Sequence, residues 1–236
     1  MTRIAIITGA SSGIGAAAAA QFIEQNFEVM NVSRRPCPVP GVRDVCGDLS
    51  EPAALTELTH TLADQIGTEQ PTEVCLVHNA ALMLKDSADN TDDAALARVL
   101  QINIQAINTL NRALLPLMPA GSSLLLVGST LSEKAVKGAY SYIISKHAQL
   151  GMMRAICQDM MGTGIHTALI CPGFTDTEML RNHIGHDEEI VTAISAMNSF
   201  GRLVQPEEIA RLIVWAHGNP VINGAVLHGN LGQVEH

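Results

Sequence analysis

Both tyrosines of the chain fall in one stretch, Gly138 to His147 (GAYSYIISKH), and only one of them has a partner for chemistry. Tyr142 is followed four positions later by Lys146, whereas Tyr140 is followed at that spacing by Ile144. Residues four apart share a helix face, so an ammonium can stand beside the Tyr142 hydroxyl and favour its ionised form. That makes Tyr142 and Lys146 a candidate acid–base pair for moving a proton to or from an oxygen. Bringing a phenol from about 10 to neutrality takes roughly 4 kcal/mol of preferential stabilisation of the anion. A solvated ion pair supplies about 1 kcal/mol or less. The pair therefore needs a site that excludes water, and a further positive charge near it.

A second constellation lies at the start of the chain. The apolar run Arg3 to Thr8 leads into TGASSGIG, which spaces Gly9, Gly13 and Gly15 around Ser11, Ser12 and Ile14 where a strand must turn into a helix. Glycine there lets the backbone approach a pyrophosphate, whose charge meets free N–H groups and the positive end of the helix. Which dinucleotide binds depends on the end of the second strand, where a carboxylate would bond the ribose 2′-hydroxyl and repel a 2′-phosphate. The residues there are Ser33, Arg34 and Arg35, with no carboxylate between Glu28 and Asp44. Guanidinium forks suit phosphate, which points to NADP(H) rather than NAD(H). The alternative is a pair of solvated loop arginines. A nicotinamide, when oxidised, is also the further positive charge that the tyrosine requires.

The elements that must position these residues read clearly. Apolar runs at Arg3 to Thr8, Glu28 to Ser33, Val74 to His78, Ser123 to Gly128 and His166 to Cys171 predict strands buried on both faces. Helical patterns cover Ala16 to Glu24, Pro52 to Ile66, Asp93 to Met118, Tyr140 to Met161, Glu188 to Asn198 and Pro206 to Gly218. Three prolines within RPCPVPG, Arg35 to Gly41, forbid a helix between the second and third strands and predict a short loop. Alternation of strand and helix means an α/β fold: a three-layer, Rossmann-type, doubly wound parallel sheet. No linker or composition shift divides residues 1–236, so the expectation is a single domain.

Composition limits the partners. The chain has 236 residues, 47% of them hydrophobic, which is enough for a sizeable core. With 14 Lys+Arg against 23 Asp+Glu, the net charge of -9 repels nucleic acid and anionic lipid. No apolar run approaches the roughly 20 residues of a membrane span. Five cysteines without CxxC spacing fit reduced thiols and a cytoplasmic location. His183 and His186 have helix-face spacing but no third ligand stands out, so no metal is expected.

Taken together, TGASSGIG, HNAA at His78 to Ala81, the Tyr142-to-Lys146 pentad and CPGFTDTEM from Cys171 resemble the short-chain dehydrogenase/reductase family over nearly the whole chain. The resemblance implies roles for further residues. Ser129 matches the serine that holds the substrate oxygen, although strand-end capping is an alternative. Asn103, in QINIQ, matches the asparagine of a water-linked proton relay behind the lysine. Asp48 and Leu49, in GDLS, match the adenine contact, with a helix N-terminus as the equal alternative. Asn79 and Ala80 match the border of the cofactor. Pro172, Gly173, Thr175 and Thr177 match the loop that receives the carboxamide.

His78 and Ala81 depart from the family's NNAG, and VLHGNLGQ departs from its usual aspartate-glycine-glycine ending. Residues of about 178–203 correspond to the segment that closes over substrate. They carry Met179, Leu180, Ile184, Ile190, Val191, Ile194, Met197 and Phe200, an apolar set that fits a ketone or aldehyde of modest polarity or simply packs a helix. The helix from Tyr140 is apolar around more of its circumference than one sheet covers, which with the resemblance implies a homodimer or homotetramer. The expected activity is NADP(H)-dependent reduction of a ketone or aldehyde, or the reverse. A 3-oxoacyl-thioester reductase is the alternative enzyme, and a dinucleotide sensor or scaffold without turnover the alternative from another class.

Overall fold

In β1 (Arg3–Thr8), Ile4 and Ile6 enter one apolar layer while Ala5 and Ile7 enter another, and all four are completely buried. A strand buried on both faces needs helices on both sides. The computed structural model describes residues 2–234 and supplies them. The order after β1 is α1 (Gly13–Glu24), β2 (Glu28–Ser33), β3 (Arg43–Cys46), α2 (Pro52–Glu69), β4 (Glu73–His78), α3 (Asp93–Leu100), α4 (Ala106–Leu114) and β5 (Ser123–Val127). Then follow α5 (Tyr140–Asp159), β6 (His166–Pro172), α6 (Glu178–His183), α7 (Glu188–Ser195), α8 (Pro206–His217) and β7 (Ala225–Gly229).

The seven strands lie in the order β3-β2-β1-β4-β5-β6-β7, every neighbouring pair parallel. Leu55, Leu62, Leu110 and Met153 from α2, α4 and α5 pack one face of the sheet. Ala18, Phe22, Ile209 and Ile213 from α1 and α8 pack the other. This is the expected three-layer doubly wound fold. The strand order reverses between β1 and β4, so a crevice opens outside their carboxyl ends.

The proline loop is a loop, as its composition requires, and β3 follows it directly. The helix expected over Asp93 to Met118 is interrupted by a π turn, Gln101–Gln105, and ends in a single tighter turn, Leu115–Leu117. The wider turn sends the Asn103 side chain inward, where it is fully buried. Strand β3 and the short helix α6 carry no apolar run of their own, and β7 has only the three residues Ala225 to Leu227.

His78, where the family has asparagine, is 2% exposed at the end of β4. Its Nε2 donates to Asn111 Oδ1 at 2.7 Å, and burial pushes its pKa down to about 4. The folded state therefore holds it neutral while the unfolded chain takes up a proton near 6.5. Stability is unaffected above 6.5 and is lost as pH falls from there toward 4, by about 3 kcal/mol from this residue. Urea denaturation at pH 7 and pH 4 should show that loss in the wild type and a smaller one in His78→Asn.

Candidate active site

Three strand ends converge on the crevice. Gly9 N–H donates to Val32 O at 2.9 Å, and Ala10 N–H donates to Asn31 Oδ1 at 3.0 Å, which ties the glycine loop to β2. On the other side, Thr8 Oγ1 accepts from the amides of Asn79 and Ala80, both at 3.0 Å. Asn79 Nδ2 returns bonds to Thr8 O and Gly9 O at 3.0 and 3.2 Å. The loop is therefore built before any ligand arrives, with Gly9 and Gly13 at φ of 74 and 53. Those are left-handed conformations that glycine adopts without strain.

The crevice encloses about 530 Å3. Its walls include Gly9, Ser11, Ser12, Gly13 and Ile14 of the glycine loop, Ser33, Arg34 and Arg35 after β2, and Asp48 and Leu49 after β3. They continue through Asn79, Ala80, Ser129, Tyr142, Lys146, Pro172, Gly173, Thr175 and Thr177. Two expected site residues lie elsewhere. Gly15 is behind the loop, where a Cβ would stand 2.3 Å from Gly9 O. Asn103 is fully buried between the Leu82 loop and α5, its side chain accepting from Leu82 N–H at 2.8 Å and donating to Leu82 O at 3.0 Å and Ser145 Oγ at 2.9 Å.

The two tyrosines part company on α5. Tyr140 is 38% exposed, whereas Tyr142 is 8% exposed and lines the crevice. Lys146, 1% exposed, places Nζ 5.3 Å from the centre of the Tyr142 ring and donates to Val127 O at 2.8 Å and Gln149 Oε1 at 3.0 Å. Burial pushes the Lys146 ammonium down to about 7. Burial also pushes the Tyr142 phenol up, against a hydrogen bond with Ser129 that lowers it. Desolvation outweighs the Ser129 hydrogen bond, and Tyr142 keeps its proton at neutral pH.

Ser129 caps the end of β5 and also lines the crevice. Its Oγ accepts from Leu131 N–H at 3.1 Å, capping the turn after β5, and it also hydrogen-bonds Tyr142. Asp48 likewise accepts from Ser50 N–H at 2.8 Å and Ser50 Oγ at 2.7 Å, closing the turn before α2, while facing the crevice. Arg34 lies 4.0 Å from Asp48, and Arg35 lies 3.4 Å from Glu178. His183 joins the wall, and no cluster that could hold a metal is found among the described residues.

The segment from Glu178 contributes Met179, Leu180, Ile184 and Met197 to the wall, but Phe200 is 65% exposed and packs near Arg202. Ile190 also faces outward. Among the wall residues that the sequence reading missed are Leu82, Met83, Val136 and Arg98. Arg98 carried a signal: with Ile102 it shares one face of the helix leading into the π turn.

Comparison with known proteins agrees with this geometry. A family profile described as "Enoyl-(Acyl carrier protein) reductase" matches residues 9–233. A 1-deoxy-11-beta-hydroxypentalenate dehydrogenase of Streptomyces exfoliatus is 32% identical over 197 residues, covering 76% of this chain and 70% of that one. The 3-oxoacyl-(acyl-carrier-protein) reductase of rhamnolipids biosynthesis in Pseudomonas aeruginosa is 29% identical, with 99% and 94% covered. A solved 3-oxoacyl-(acyl-carrier-protein) reductase from Agrobacterium tumefaciens, with NADP bound, shares the fold at a TM-score of 0.85 and 22% identity, covering 98% of this chain and 93% of that one.

Proposed function

The chain belongs to the short-chain dehydrogenase/reductase family, and on that premise we propose that it reduces a ketone or aldehyde with NADPH, or oxidises the alcohol with NADP+. The observation that carries this reading is the convergence, in one water-poor corner, of the Tyr142 and Ser129 hydroxyls and the Lys146 ammonium, opposite a glycine loop that presents free amides.

The residues present fit the dinucleotide. Ser11, Ser12, Gly13 and Ile14 would meet its pyrophosphate, and Asp48, Leu49, Asn79 and Ala80 would border its adenosine half. Pro172, Gly173, Thr175 and Thr177 would receive the carboxamide end. A 2′-phosphate would find Ser33, Arg34 and Arg35, with Asp48, 4.0 Å from Arg34, and Glu178, 3.4 Å from Arg35, as competing carboxylates. When bound, the nicotinamide supplies the hydride.

The chain does the rest. Ser129 and Tyr142 donate hydrogen bonds to the carbonyl oxygen. As that oxygen gains charge, the Tyr142 O–H bond breaks and the proton forms the alcohol O–H. Lys146 opposes the negative charge left on the phenolate, and a dry site makes that attraction strong. Asn103 serves as a clamp on the loop at Leu82, because its side chain is committed there.

Arg34→Ala should raise the KM for NADPH about 10- to 30-fold and leave that for NADH nearly unchanged, since one charge-assisted contact is lost. Initial rates with both coenzymes check it, and an unchanged NADPH preference would contradict the 2′-phosphate reading. The functional reading itself is tested by NADPH oxidation across a carbonyl panel.

A second reading is a 3-oxoacyl thioester held on a carrier protein, favoured by the Pseudomonas relative, whose own name is that of such a reductase. A carrier-borne 3-oxoacyl substrate reduced at least 10-fold more efficiently than the same acyl group on a small thiol would favour it. Leu82, Met83, Val136 and Met179 offer an apolar wall to either substrate.

We also place the protein in the cytoplasm, as five free thiols permit, and in a homodimer or homotetramer. Ile143, Ile144, Leu150 and Met152 of α5 are only half-buried in one chain, so a second copy would complete their packing. No helix among the described residues is long and apolar enough to cross a membrane.

A further inference from the structure

Gln149 is 1% exposed on α5, and both ends of its amide are committed. Its Oε1 accepts from Lys146 Nζ at 3.0 Å, and its Nε2 donates to the backbone carbonyl of Asn103 at 2.9 Å, inside the π turn. Chemistry fixes which way the amide points. An ammonium only donates and a carbonyl only accepts, so the oxygen must face Lys146 and the nitrogen Asn103. Of the three Lys146 N–H bonds, Val127 O takes one and Gln149 a second, which leaves the third for the side of Tyr142.

We propose that Gln149 is the positioning residue of the proton-transfer site: it keeps the Lys146 side chain charged and aimed at Tyr142, in the place behind the lysine where the resemblance implies a water-linked asparagine. The proposal rests on the roles given above to Tyr142 and Lys146. Its argument is electrostatic. Burial works against the ammonium, and the ionisable side chains whose charge bears on it are Tyr142 on the same helix and Cys171 on β6. Neither carries charge at neutrality, because burial raises both the phenol and the thiol. The cation is therefore held by two neutral oxygens, one of which belongs to Gln149.

Removing that oxygen disfavours the charged form, so the Lys146 midpoint must fall. A Gln149→Leu side chain of similar size loses both hydrogen bonds, and Gln149→Glu keeps the acceptor and adds a negative charge. The chain has four lysines, Lys85, Lys134, Lys137 and Lys146. A pH titration of protein carrying 13C-labelled lysine therefore resolves them by NMR, with Lys146→Met assigning the signal.

In Gln149→Leu the Lys146 midpoint should move down by about one pH unit, and in Gln149→Glu it should move up. The alkaline limb of kcat should follow in the same directions. For Gln149→Leu the loss in kcat should be about 5-fold at pH 7 and under about 2-fold at pH 6, with the KM for NADPH within about 3-fold of wild type. A midpoint in Gln149→Leu equal to that of the wild type would overturn the proposal, as would a loss that is the same at both pH values. If Gln149→Leu does not fold, a Gln149→Glu midpoint that fails to rise overturns it equally. The titration needs no substrate, so a shifted midpoint in a protein that reduces no carbonyl contradicts the functional reading and not the role of Gln149.

Discussion

Tyr142→Phe should lower kcat for carbonyl reduction by about 10³-fold or more, while Tyr140→Phe stays within about 2-fold of wild type. The asymmetry follows from burial: the Tyr142 hydroxyl lies in the crevice against Ser129 and the Tyr140 hydroxyl belongs to an exposed side chain. Loss of the hydroxyl removes a proton donor whose acid form burial in the site stabilises. The phenylalanine ring keeps the packing beside Lys146, so NADPH affinity should change less than about 3-fold and folding little. Steady-state rates and fluorescence titration of NADPH, run on the same preparations, separate the two effects. Equal loss in both variants would place the chemistry elsewhere.

Gly15→Ala should be the most damaging single methyl group in the chain. Helix propensity alone would favour alanine here by about 1 kcal/mol. Packing reverses the sign, because the new Cβ would stand 2.3 Å from the Gly9 carbonyl oxygen and 2.6 Å from Asn79 Nδ2. Both atoms belong to the frame of the glycine loop, so relief of the clash must displace the loop or break the Asn79 bonds to Thr8 and Gly9. The expected result is a net loss of about 2 kcal/mol or more, with NADPH affinity weakened about 100-fold by misplacement of the amides. Gly67→Ala is the control. It lies in α2 with nothing within 4 Å of a new Cβ, and should stabilise by about 0.5–1 kcal/mol. Thermal and urea unfolding, with NADPH titration, decide the matter.

Most of the frame was readable because it rests on strong local signals. The strands β1, β2, β4, β5 and β6 are apolar runs, and three prolines keep Arg35 to Gly41 from forming a helix. What escaped reading has little local signal. Strand β3 buries Val45 alone among Arg43, Asp44 and Cys46, and exists because β2 offers it a parallel partner. Strand β7 pairs with β6 at the sheet edge, and its residues are half-buried or exposed. Neither has a pattern that survives without its neighbour.

The site divides in the same way. Tyr142, Lys146 and the glycine loop follow from spacing, because a helix and a turn fix where such residues point. Asn103 matched a family position, yet the π turn directs its side chain to Leu82 and Ser145, a displacement that no spacing rule shows. Gln149 is three residues past Lys146 and has the polarity of a solvated helix residue. Only the packing of α5 against the π turn makes it buried and doubly bonded. Met83, Val136 and His183 reach the crevice from loops and a short helix whose paths depend on the assembled sheet.

The central claim is that this crevice joins hydride transfer from NADPH to proton transfer from Tyr142. Single-turnover decay of NADPH absorbance, recorded with an accepted ketone or aldehyde in H2O and in D2O, tests it most directly. The account predicts one decay that slows in D2O for the wild type and all but vanishes in Tyr142→Phe. A decay of equal rate in both variants would contradict it.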